Sequence, residues 1–201
     1  MEGMYFYAFA WLGWWFATFL MKKTSLRFYV AAGFLLFISS SATQIPVGTV
    51  RISGSSVYIL IISLFVICKF PLWKEVYLIF CSGLVAMVFA TMQLMDLYDP
   101  IWFVKGYIWI CSSCVALLLI IAVRGYVEKL IVLSVGVMQG EAILVIVFRK
   151  LQFFTGIGEL AALDIVMCTF VLISFSTVVG KSRFFLHPFK QKHVREGNGS
   201  L

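Results

Sequence analysis

Four side chains set in apolar runs have the chemistry to carry protons or cations: Gln139, Glu141, Glu159 and Asp164. A charge at mid-bilayer costs about 2.5–3.5 kcal/mol on insertion scales, so a carboxyl kept there needs a partner or a task. Glu141 follows Gln139 and Gly140 near the middle of one apolar run, and Glu159 and Asp164 stand in the first third of the next. Three carboxyls on one helical hairpin could form a proton or cation path, each acid alternating between its neutral and charged form. The structural alternative is that a neutral Glu141 hydrogen-bonds to another helix and that Glu159 pairs with Arg149 or Lys150 near the surface. Glu159 and Asp164 are five positions apart, roughly 140° around a helix, so they do not share a face.

Other spacings carry less chemistry. Gly136 and Gly140 let a neighbouring helix approach closely, so they mark a packing seam, within the chain or against a second copy. Cys111 and Cys114 have the CxxC spacing, but a redox pair works at a helix N-terminus near water and this one lies inside an apolar run. All five cysteines fall in apolar stretches and their number is odd, so they read as small core residues rather than a disulfide framework. Both histidines, His187 and His193, lie near the C-terminus, and no HExxH, GxSxG or phosphate-binding glycine loop occurs. No catalytic group, metal or cofactor is expected, and the chain reads as a non-enzyme.

The elements that must position these residues are membrane spans. The chain is 62% hydrophobic and 12% charged, with a mean hydropathy of +1.02, against roughly a quarter charged in a soluble domain. A span needs about 20 mainly apolar residues. Seven candidates follow: Met4 to Met21, Leu26 to Ile45, Gly54 to Phe70, Val76 to Met95, Ile101 to Val123, Leu130 to Phe148 and Gly156 to Gly180. The links are short, so neighbouring helices must run antiparallel; the longest, Pro46 to Ser53, holds the helix breakers Pro46 and Gly48. The expected architecture is an all-α integral membrane protein, an antiparallel bundle of about seven transmembrane helices. The first apolar run is preceded by Glu2 and followed by Lys22-Lys23, which fits a retained span rather than a cleaved signal.

With the N-terminus outside and the C-terminus cytoplasmic, only Arg51, Lys105, Arg149 and Lys150 of the 16 Lys and Arg lie outside, which satisfies the positive-inside rule. The net charge of +7 is thereby spread between apolar runs, which argues against nucleic acid as a partner. Residues 1–183 form one transmembrane domain, and residues 184–201 a basic cytoplasmic tail. Lys181, Arg183, Lys190, Lys192 and Arg195, around Phe184, Phe185 and Phe189, are placed to lie against anionic inner-leaflet lipid, each contributing about 1 kcal/mol. The bilayer is the expected partner, with a membrane-protein partner or homo-oligomer left open.

Tyr98-Asp99 with Gly156-Ile157-Gly158-Glu159 resembles the paired YD and GxGD motifs of presenilin-like aspartyl proteases, but the second acid is Glu and Asp99 precedes Pro100 in a link. A retinal-binding rhodopsin needs a lysine inside the seventh span, and none is there. A broader resemblance runs through Tyr5-Phe6-Tyr7, Trp11-Leu12-Gly13-Trp14, Phe19-Leu20-Met21-Lys22-Lys23, Asp99-Pro100-Ile101-Trp102 and Gln139-Gly140-Glu141. On these segments the chain resembles the YphA-like membrane proteins of endospore-forming bacilli. The resemblance implies a multi-pass protein of the bacterial plasma membrane connected with sporulation, and it carries over no catalytic residue. The reading is a non-enzymatic envelope or sporulation-associated assembly or scaffold protein. The alternative is a small proton- or cation-coupled transporter using Glu141, with Gln139 and Asp164 as partners.

Overall fold

Apolar runs separated by short links fold here into helices that reverse direction at each link. The computed structural model describes residues 3–47, 50–98, 106–150 and 156–197. Among them, seven helices and three short strands follow in the order α1 (Met4–Phe19), α2 (Ser25–Ser41), β1 (Gln44–Val47), β2 (Val50–Ser53), α3 (Gly54–Ile67), α4 (Leu72–Tyr98), α5 (Tyr107–Ala122), α6 (Tyr126–Lys150), β3 (Gly156–Ile157) and α7 (Leu160–Gly197). Contacts at both ends fix the alternation. At one end Tyr7 meets Ser41 (3.0 Å), Tyr107 donates to Gln93 (2.8 Å) and Trp109 to Tyr5 (3.3 Å). At the other, the Tyr77 hydroxyl donates to the Ala122 carbonyl and Lys74 pairs with Glu128 at 3.7 Å.

The main core lies between α4, α5, α6 and α7, where Leu78, Val85, Phe89, Val115, Leu119 and Ile173 are buried together. A second cluster joins Phe6 and Ala10 of α1 to Phe37 of α2 and to Leu163 and Met167 of α7. Lipid tails are as apolar as these side chains, so in a membrane such contacts stabilise through close packing rather than release of water. The surface is apolar too: Phe28 is 72%, Phe65 67% and Ile121 76% exposed. Water would penalise such patches, and lipid does not.

Among the described residues, three helices are long and apolar enough to cross a membrane: α4, the Tyr126–Phe148 part of α6, and the Leu160–Gly180 part of α7. At 1.5 Å per residue the 27 residues of α4 reach about 40 Å. Trp73 and Tyr98, both well exposed, mark its two ends, where amphipathic rings suit the headgroup layers. α1, α2, α3 and α5 have only 14 to 17 residues, about 21–26 Å of helix.

Several boundaries differ from the sequence expectation. α2 stops at Ser41, short of Ile45, because serine hydroxyls turn back onto its last carbonyls: Ser40 onto Phe37 (3.0 Å) and Ser41 onto Ile38 (2.7 Å). The Pro46 to Ser53 link, expected as a loop, contains β2 and part of β1. The sheet order is β1-β2-β3, with β1 and β2 antiparallel and β3 parallel to β2. Pro46 is tolerated because β1 is an edge strand. α4 and α6 each extend beyond the expected bounds, while Gly156 belongs to β3 and not to the last helix. The tail expected from residue 184 continues α7 as helix to Gly197. The side chains of Lys181, Arg183, Lys190, Lys192 and Arg195 lie outside what the structure describes, as do residues 99–105 with Asp99. Of the cysteines, Cys81, Cys111 and Cys168 are buried, whereas Cys68 is exposed.

Candidate functional site

The two acids buried among the described residues, Glu141 and Asp164, both end on backbone amides. Asp164, on the second turn of α7, is fully buried. Its two oxygens accept from the amides of Gly3 (2.8 Å) and Phe6 (2.6 Å). A helix begins with amides that have no partner within it, and Asp164 serves α1 as the N-cap that its own sequence lacks, since Gly3 has no side chain. Gly3 sits at φ 87°, a left-handed conformation that glycine adopts without steric cost. A carboxylate at this position also faces the positive end of the helix dipole.

Glu141 does the equivalent work for the approach to α7. It is 6% exposed, and one of its oxygens accepts from the Gly158 amide at 2.6 Å. The amide of Glu159 is a second backbone donor to the same carboxyl. Gly158 has φ +78°, and a Cβ there would collide with the Ser56 hydroxyl. Only glycine fits this turn, on conformation and on space. Ser53, Ser55 and Ser56 are buried beside it, Ser53 and Ser55 sharing a hydrogen bond of 2.8 Å. One end of the molecule is therefore a polar cap. It combines the start of α1, the three-stranded sheet, the start of α3 and the turn into α7.

Of the expected constellation the structure brings Glu159 beside Glu141, while Gln139 and Asp164 turn elsewhere. Gln139 turns to α4, where its side-chain oxygen accepts from Ser82 at 3.2 Å. Glu141 reaches towards β3 and Asp164 towards α1, so the three use separate partners. Glu159 is exposed and precedes α7 rather than lying within it. Gly136 and Gly140 face α4: a Cβ on Gly136 would lie 2.7 Å from Val85 Cβ, and one on Gly140 2.7 Å from the Phe89 ring. The roles of Gly3, Gly158 and Ser56 escaped sequence reasoning. The one available signal was the Gly156-Ile157-Gly158 spacing, which marks a tight turn.

Residues 2–199 match the model of the YphA-like integral membrane protein family. The chain belongs to that family. It is also similar to "Uncharacterized protein YphA" of Bacillus subtilis strain 168, 26% identical over 206 residues that cover 100% of this chain and 98% of the relative. No solved structure matches. As a YphA-like protein the chain is a membrane-embedded bacterial protein, and the exposed aromatic and aliphatic side chains of its helices are the surface such a location requires.

Proposed function

We propose that this YphA-like protein is a non-enzymatic scaffold of the bacterial envelope, with seven spans, an outer N-terminus and a cytoplasmic C-terminus. The sporulation link implied by the family resemblance belongs to the same reading. The observation that carries it is the use of both buried carboxyls by backbone amides, Asp164 at Gly3 and Phe6 and Glu141 at Gly158. A carrier needs polar groups that reach water from both faces and change partners. These acids gather at one end and tie α1 and α7 to the sheet.

The test is flux through proteoliposomes loaded with a pH-sensitive dye under an imposed proton gradient. No flux above protein-free vesicles is expected, for the parent or for Glu141→Gln. The variant should instead lose about 1 kcal/mol of stability, because one carboxyl oxygen is replaced by an NH2 group, which cannot accept from a buried backbone donor. Proton flux that disappears in Glu141→Gln without loss of stability would establish the transporter and remove the scaffold reading.

Seven spans are supported by the alternating helix directions and by the charge bias, although four helices are shorter than the hydrocarbon core. A cysteine replacing Thr43, in a background freed of the native cysteines, should react with a membrane-impermeant maleimide in intact cells. One replacing Lys69 should react only after permeabilisation. The reverse pattern would invert the proposed topology.

A further inference from the structure

The α1–α2 hairpin opens into a groove of about 480 Å3 at the end opposite the polar cap. The helices meet where Gly13 receives Phe34, a Cβ there falling 2.7 Å from the ring. Towards the link between them, the small side chains of Ala31 and Ala32 leave a gap. Arg27, Ala31 and Leu35 recur at four-residue intervals and form one stripe of its wall, and Trp14 and Thr18 do the same on α1. The wall thus grades from cationic at the link to apolar in the core.

Three of its polar groups are uncompensated. The side chains of Lys23 and Arg27 have no ion pair or hydrogen bond among the described residues, and Arg27 is partly buried. The Thr18 hydroxyl is shielded from solvent and has no hydrogen-bond partner among the described residues, although helical threonines ordinarily bond to a preceding carbonyl. Thr24 makes no side-chain cap at the start of α2, leaving the positive end of that helix at the same mouth. Among the described residues, no acidic one lines the groove. An isolated cation beside an apolar wall calls for an anion that brings its own apolar body.

We infer that this groove binds one anionic phospholipid, its phosphate held by Lys23 and Arg27 at the mouth and an acyl chain lying along Ala31, Leu35 and Trp14. Thr18, about one helical turn deeper, donates to an ester oxygen of the same lipid.

Native mass spectrometry of the full-length protein in detergent, with phosphatidylglycerol or phosphatidylethanolamine added, tests this. One phosphatidylglycerol should be retained at least tenfold more tightly than phosphatidylethanolamine, and excess inorganic phosphate should not displace it. A double variant, Lys23→Gln with Arg27→Gln, should bring retention down to the phosphatidylethanolamine level. Ala31→Trp, which fills the groove and keeps both charges, should do the same if the double variant does not fold. Lys69→Gln, at an exposed residue after α3 that is not part of the groove wall, should leave retention unchanged. Equal retention of the two lipids overturns the proposal, as does displacement by inorganic phosphate, survival of binding in Ala31→Trp, or its loss in the Lys69 variant.

Discussion

Asp164→Ala is expected to be among the most damaging single substitutions in this protein, costing about 2–6 kcal/mol. The figure follows from the two amides it would strand, since an unsatisfied buried donor costs about 1–3 kcal/mol. Both bonds are short, and Asp164 and Phe6 are fully buried, so water cannot easily replace the lost oxygens. Asp164→Asn should fall between the parent and the alanine variant. Its single carbonyl oxygen can serve one amide, while its NH2 group is set against the other. The chain carries its own reporter in the buried thiols of Cys81, Cys111 and Cys168. A thiol-reactive dye that fluoresces on coupling should report a melting temperature ordered parent, asparagine, alanine. An alanine variant melting with the parent would mean that the first turn of α1 does not depend on Asp164.

Gly140→Leu is the second large effect, and it acts through shape alone. Even a bare Cβ would lie 2.7 Å from the Phe89 ring and 3.0 Å from the Ala86 carbonyl. Phe89 is itself fully buried and Ala86 contributes backbone, so neither can yield without α4 moving away from α6. Overpacking of this kind costs about 1–3 kcal/mol when side chains can adjust, and more when they cannot. Gly83→Leu on α4 is the control, because nothing lies within 4 Å of a Cβ at that position. The Gly140 variant should melt well below the parent and lose its monodisperse peak in gel filtration, while the Gly83 variant should match the parent. Similar melting of both would show that the α4–α6 seam tolerates separation.

The α4–α6 seam was legible because helical spacing is local information: Gly136 and Gly140 lie on one face by their separation in sequence. The helices were legible for the same reason, and Glu141 and Asp164 stood out by the cost of placing an acid among apolar residues. Their partners were not. Asp164 meets Gly3 across 161 positions, and no periodicity in either segment encodes that meeting. The strands were missed because Gln44 to Ser53 is too short to show more than a loop beside Pro46 and Gly48, and β3 has only two residues. Pairing across the fold, not propensity, makes them strands. Lys23 and Arg27 counted towards orientation, but a groove between two helices depends on how Gly13 seats Phe34, which a linear reading does not reveal.

The cap closes the first helix with a residue of the last. As the chain leaves the ribosome, α1 to α6 are made before Asp164 exists, and Glu141 appears before the Gly158 amide that it holds. A chain stopped ahead of β3 therefore enters the membrane with an uncapped α1, an unpaired acid in α6 and a sheet lacking its third strand. The native contacts of α1 and α6 are thus settled only once a segment made after both has arrived.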